Sequence, residues 1–249
     1  VSFFVSGYMY IAKSLILFSL SFVLSEPRQA EDRLVQKDSV YTYYKGSADG
    51  VGKFYMGREI AQVMGFSGAE WLERDTRQQE ENVRLAIQNL PISAKSVIAD
   101  IGAGTGYYTF RIAPKIPHGK VYAVELQNEA INFLTKKAKE INASNVDVIK
   151  GTAISPNLPD NSTDLAIMVD VYHELAYPHE YLQALRRALK PNGKILLLEY
   201  RGEDPNVPIK TLHKTTVAQV NKEMAANNFK LITDKEFLPI QHFLVYQKR

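Results

Sequence analysis

Residues 96–106 read SVIADIGAGTG, a β-branched run that ends on a glycine and is followed by two more glycines at every second position. No other segment of the chain restricts the fold as strongly. Val97 and Ile98 favour an extended strand. Gly102, Gly104 and Gly106 let the backbone turn tightly and place no side chain between it and a ligand. Residues 106–115 then suit a short helix, ended near Pro117-His118-Gly119. Strand, glycine loop and helix in that order is the setting in which such a loop cradles a cofactor. The dinucleotide fingerprint G-x-G-x-x-G needs glycine at position 107, where this chain has Tyr107. The spacing here is G-x-G-x-G, with Asp100 two residues before the first glycine. Glu125 follows 19 residues after Gly106, at the end of a strand predicted over 120–126. An acid at that place can accept hydrogen bonds from both hydroxyls of a ribose.

The rest of the body alternates in the same way. A helix is predicted over 71–90, with Val83, Leu85, Ala86, Ile87 and Leu90 on its apolar face and Pro91 ending it. A second helix fits 128–141, burying Ala130, Ile131, Leu134, Ala138 and Ile141. Strands are predicted over 145–151 and 162–171, the latter almost continuously apolar, as in a strand covered on both faces. Pro178 opens a helix to Leu189, KPNG (190–193) turns, and KILLLEY (194–200) returns as a strand. A helix over 215–227 precedes strands over 229–237 and 241–248, joined by three residues and therefore antiparallel. The expected fold is α/β: a Rossmann-like, doubly wound, mostly parallel sheet with a C-terminal antiparallel hairpin strand. Its ligand belongs outside the carboxyl ends of the strands.

Four segments in this order resemble the class I S-adenosylmethionine-dependent methyltransferases. VIADIGAGTGYYTF resembles that family's first motif, VYAVEL its ribose-binding acidic strand, DLAIMVDVYHEL its fourth-strand motif, and ALKPNGKILLLEY the segment that follows. The likeness covers roughly residues 70–249. FYMGREIAQVMGFSGAEWLERDTRQQEE (54–81) and FLPIQHFLVY are also similar to an uncharacterised bacterial subgroup of these enzymes. The resemblance implies a seven-stranded sheet and S-adenosylmethionine as cofactor. It also implies that Gly102, Gly104 and Gly106 pass beside the methionine part, that Asp100 binds its ammonium directly or through water, and that Glu125 grips the ribose. Where the family often carries an acid near the adenine amino group, this chain has Thr152, whose hydroxyl is a weak substitute.

Methyl transfer is an in-line displacement at an activated carbon, so positioning matters more than activation. A base is needed only where the nucleophile arrives protonated. Asp170-Val-Tyr172-His173-Glu174 falls at the carboxyl end of the fourth strand, beside the expected cofactor. Asp170 can bind cofactor or substrate. His173 is the candidate base, because histidine titrates near neutrality; the competing reading makes His173 and Glu174 a helix cap or local pair. His213 and His242 are candidates for the edge of a pocket, and His118 lies in an exposed turn. No metal site is expected: His173, Glu174 and His179 come closest, and Pro178 breaks their shared face. Tyr41, Tyr43, Tyr44 and Tyr55, with Trp71 and Arg77, either form a lid over the site or pack on the sheet edge.

Composition separates the ends from the body. From Val1 to Ser25 the only charge is Lys13, followed by the apolar run SLILFSLSFVL (14–24). That run has the length of a signal-peptide core and is short for a membrane span. Residues 1–25 are therefore expected to be a signal peptide or membrane anchor, making the protein exported or membrane-associated, with a cytoplasmic location as the alternative. Residues 26–56 read as a tyrosine-rich linker or arm, and 57–249 as one catalytic domain with a helical lid over 57–92. The balance of 30 Lys+Arg against 27 Asp+Glu gives no case for a nucleic-acid partner. The absence of Cys excludes disulfides, thiolate metal sites and a cysteine nucleophile. The expected activity is methyl transfer to a small-molecule acceptor. The alternatives are a non-catalytic exported cofactor-binding relative and a nucleotide-cofactor oxidoreductase, the latter disfavoured by Tyr107.

Overall fold

Seven strands form the central sheet of the computed structural model, which describes residues 40–249. The expected signal or anchor segment and the start of the arm lie outside the described residues. In chain order the sheet is built from β4 (Val97–Ile101), β5 (Lys120–Glu125), β6 (Val146–Lys150), β7 (Thr163–Val169), β8 (Leu189–Leu198), β9 (Phe229–Lys235) and β10 (Phe243–Lys248). Their spatial order is β6-β5-β4-β7-β8-β10-β9. The first five run parallel, and β10 is antiparallel to both β8 and β9. The chain leaves β4 toward β5 on one side and returns to β7 on the other. That reversal opens a crevice at the carboxyl end of β4.

The apolar runs bury both faces with the period of two that a strand imposes. Ala99 and Ile101 of β4 and Ile195 and Leu197 of β8 face α6 (Pro178–Ala188) and α7 (Val217–Ala226). Ile98, Leu196 and Leu198 face α3 (Val83–Gln88) and α4 (Thr109–Ile112). The helix α5 (Asn128–Glu140) buries Ala130 and Leu134 only; Ile141, expected on its apolar face, is exposed. Lys190–Gly193, expected as a turn, is an excursion inside β8. Leu189 pairs with Thr163 and Lys194 with Leu165, so four residues stand opposite Asp164 alone.

Two expectations N-terminal to the sheet are corrected. The single helix over 71–90 is instead α1 (Ala69–Leu72), α2 (Arg77–Glu81) and α3. Asn82 interrupts it with φ 53, a left-handed conformation that asparagine tolerates and a helix interior does not. Residues 41–61, expected as linker passing into a helical lid, form an antiparallel sheet of β1 (Tyr41–Tyr43), β2 (Gly50–Tyr55) and β3 (Arg58–Ala61). Tyr41 and Tyr55 are buried. Tyr41 donates to Glu180, Asn227 Nδ2 donates to the Tyr55 hydroxyl at 2.7 Å, and Lys53 Nζ lies 3.2 Å from the Tyr177 ring centroid. The small sheet is thereby tied to the N-terminal end of α6 and to the C-terminal end of α7. Among the described residues no helix is long and apolar enough to cross a membrane.

Candidate active site

A cavity of about 570 Å³ opens at the carboxyl ends of β4, β5 and β7. Its floor is the glycine loop. Gly102 and Gly104 are left-handed, with φ 68 and 57, and both line the cavity. A side chain on Gly102 would stand 2.7 Å from Val171 Cγ2, so the loop can carry nothing larger there.

Glu125, at the end of β5, is held by backbone donors on all sides. Its Oε1 accepts from Gly104 N at 3.0 Å, and its Oε2 from Leu126 N at 2.7 Å and Gln127 N at 3.2 Å. The carboxylate is thus fixed before any ligand arrives, with acceptor capacity left on the cavity side. Two hydroxyls on adjacent carbons are the natural donors for it.

Asp100 and Gly106 are placed differently from the expectation. Neither lines the cavity. Asp100 is buried beneath the loop and accepts from Thr109 Oγ1 at 2.6 Å. Burial pushes its carboxyl up to about 6, against the Thr109 hydrogen bonds, which pull it down. Gly106 faces Phe110 and Leu134 and serves the packing of α5. Thr152 does reach the cavity wall, but its hydroxyl is engaged in its own turn, donating to Ser155 O and accepting from Ile154 N, both at 3.3 Å.

Asp170 ends β7 with φ 54, a left-handed non-glycine residue at the cavity wall. Gln241 Nε2 donates to both of its oxygens, at 3.1 and 2.9 Å. Burial holds its carboxyl well above the usual carboxylate range, with Glu81 and Glu199 adding repulsion and Arg77 opposing them. Such strain is characteristic of residues whose orientation matters to a site.

His173 also reaches the cavity, from a one-turn 3₁₀ helix (Tyr172–Glu174). Its Nδ1 lies 2.6 Å from Glu199 Oε2. Glu199 is fully buried, and its Oε1 accepts from Val171 N and Tyr172 N at 3.1 and 2.8 Å. A carboxylate only accepts, so Nδ1 carries a hydrogen, and in the neutral ring the lone pair is then on Nε2. Nε2 points at His213 Nδ1, 3.2 Å away. His213 is the histidine expected at a pocket edge; Glu199 is singled out by no spacing in the sequence. The one available signal was a lone acid directly after the apolar run of β8. His242 pairs with Glu203 at 2.9 Å, and the His179 backbone N–H donates to the Tyr41 hydroxyl at 3.2 Å; neither residue lines the cavity.

The roof comes from the segment after β3. Gln62, Val63, Met64, Phe66, Trp71 and Leu72 line it. Gln127 straps this segment down, accepting from Phe66 N at 2.8 Å and donating to Met64 O at 3.0 Å. Of the aromatic residues expected in a lid, Trp71 borders the cavity, whereas Tyr41, Tyr43 and Tyr55 belong to the small sheet and Tyr44 follows β1, its N–H donating to Gly52 O.

Residues 99–195, from β4 into β8, match the family model described as a methyltransferase domain. That segment of the chain, from the glycine loop through β7 to the return strand, is thus similar to a methyltransferase domain. The chain is 36% identical over 117 residues to an uncharacterized methyltransferase-like protein of Schizosaccharomyces pombe, covering 47% of this chain and 43% of that protein. It is 30% identical over 115 residues to a demethylmenaquinone methyltransferase of Listeria welshimeri, covering 45% and 47%. The aligned part thus spans somewhat under half the length of these relatives. A SAM dependent methyltransferase from Aquifex aeolicus superposes with a TM-score of 0.69 at 22% identity, over 74% of this chain and 98% of that one. That last likeness is one of fold.

Proposed function

We propose that this protein transfers the methyl group of S-adenosylmethionine to a small-molecule acceptor. The observation that carries the reading is the pair of left-handed glycines and the pre-fixed Glu125 carboxylate on the floor of one cavity. The residues fit the cofactor: Gly102 and Gly104 permit close backbone approach, and Glu125 offers the acceptor that a ribose diol requires. When bound, the sulfonium supplies an already activated methyl group. The remaining work belongs to the protein: to hold the acceptor in line, to exclude water, and to accept a proton where one must leave. The roof of Met64, Phe66, Trp71 and Leu72 is apolar, and the polar groups converge at Glu125, Asp170 and His173. That combination suits a small organic acceptor more than a polymer. The Listeria relative, whose name gives it a small-molecule acceptor, supports the same class. The apolar run behind Lys13 supports an export signal or anchor over residues 1–25.

Calorimetry of the purified protein with S-adenosylmethionine, S-adenosylhomocysteine and NAD tests the reading. Binding of the first two and not the third is expected, weakened in Glu125→Ala by roughly 1.5–3 kcal/mol per lost charge-assisted hydrogen bond. Binding of NAD alone, or no effect of Glu125→Ala, overturns it. Intact-mass measurement of the same preparation reads the mature N-terminus; an uncleaved chain recovered in the soluble fraction overturns the export reading.

A further inference from the structure

Three potential metal ligands meet at the cavity wall: His173, Glu174 and His213. His173 Nε2 lies 3.2 Å from His213 Nδ1 and 3.8 Å from Glu174 Oε1, and His213 Nδ1 lies 3.5 Å from the same oxygen. These three edges enclose the space one cation needs. Ligands about 2.0–2.1 Å from a tetrahedral zinc ion stand about 3.4 Å apart.

The surroundings match a built site. His173 is 1% exposed and its Nδ1–H is held by the fully buried Glu199. That carboxylate–histidine pairing fixes the tautomer that leaves Nε2 free to ligate. Glu174 and His213 are 14% and 18% exposed, and both line the cavity with His173. Glu174 Oε1 also accepts from Met64 N at 3.2 Å, which orients the carboxylate without using its second oxygen. The fold brings these groups together from separate elements. His173 and Glu174 sit on the turn after β7, and His213 on the 3₁₀ turn Thr211–His213 before α7.

We infer that His173 Nε2, His213 Nδ1 and the Glu174 carboxylate bind one divalent transition-metal cation, with zinc the best match. Two imidazoles and one carboxylate with a fourth position open toward a cavity is the donor set of a catalytic rather than a structural zinc site. The open position takes an oxygen of the methyl acceptor, which assigns the acceptor to the hydroxyl-bearing class. This role rests on the methyl-transfer reading; the binding of the cation does not. In the transfer, the acceptor hydroxyl releases its proton to solvent and its oxygen bonds to the methyl carbon. The carbon–sulfur bond breaks with its electron pair staying on sulfur.

The test uses the full chain purified without a histidine tag, stripped with chelator and titrated with Zn²⁺ by calorimetry. One equivalent per chain is expected. Affinity should fall more than about tenfold in His213→Ala and in Glu174→Gln, and by roughly 10- to 100-fold in Glu199→Gln. Circular dichroism confirms that each variant is folded, and His213, the most exposed of the three ligands, supplies the variant least disturbing to the core. Absence of saturable one-to-one binding, or binding undiminished in both His213→Ala and Glu174→Gln, overturns the site and leaves a hydrogen-bonded His–His pair. Parallel titration with S-adenosylmethionine separates the two readings. Zinc binding without cofactor binding sinks methyl transfer and keeps the cation site; the reverse result does the opposite.

Discussion

Asp100 pairs a structural role with an electrostatic penalty. It lies under the glycine loop, and burial lifts its carboxyl from an ordinary 3.8 to about 6. An acid raised in this way binds its proton more tightly folded than unfolded. The stabilising contribution is full below the unfolded value and is lost as pH rises through the folded one. That difference corresponds to on the order of 3 kcal/mol. Asp100→Asn removes the titration and keeps the size. In urea unfolding of the cofactor-free protein, the stability of the parent relative to this variant should fall between about pH 4 and about pH 6, then level off. A relative stability that is flat or rises over that range contradicts the assignment. Glu125 shows the contrasting environment: three backbone N–H groups surround its carboxylate at 2.7–3.2 Å, and it faces the cavity. Sequence spacing identified both acids, but not their division of labour. The depth of Asp100 depends on Thr109 and on the loop closing over it.

Within the glycine loop, equal spacing hides unequal tasks. Gly104 and Gly106 are both left-handed, with φ 57 and 76, so alanine is strained at either. Their neighbours differ. A Cβ on Gly104 meets the far end of Leu72 at 2.8 Å, a flexible contact at the cavity roof. A Cβ on Gly106 meets the Phe110 ring at 2.3 Å and Leu134 at 2.9 Å, inside the packing of α5. Gly106→Ala should therefore cost roughly 1–3 kcal/mol more stability than Gly104→Ala. Gly104→Ala should instead show its effect chiefly on S-adenosylmethionine affinity. Thermal melts of the cofactor-free variants beside calorimetry decide this, and equal losses of stability contradict it. Elements were legible wherever one periodicity ran unbroken, as in β4, β7 and α6. They were not legible where a single residue changed the path. Asn82 divides a helical pattern that is continuous in the letters, and β1–β3 read as linker because glycines interrupt the alternation of their tyrosines. The meeting of His173 with His213, 40 residues apart, follows only from how the turns after β7 and before α7 face one another.

At the scale of the molecule, the small N-terminal sheet is held to the seven-stranded α/β body by a charge cluster whose loss should be felt across both. Arg58 of β3 makes a two-pronged pair with Glu223 of α7, at 2.8 and 2.9 Å. Glu223 is fully buried and also accepts from the Tyr172 hydroxyl and from Gln219 Nε2, each at 2.7 Å. Arg58 Nη1 donates to His173 O at 3.0 Å, which carries the clamp to the turn that presents His173 and Glu174. Four donors thus depend on β3 and one helical acid. Glu223→Ala takes the carboxylate from a largely buried guanidinium, a buried phenol and a part-buried amide. Breaking a buried pair from one side costs about 3–5 kcal/mol. Replacing both partners, as in Arg58→Met with Glu223→Met, removes the stranded charge and should cost less than the two single changes added together. Urea midpoints for the parent, both single variants and the double variant give the coupling directly. A Glu223→Ala loss below about 1 kcal/mol, the size of a surface pair, would show that the small sheet rests on the domain without the clamp.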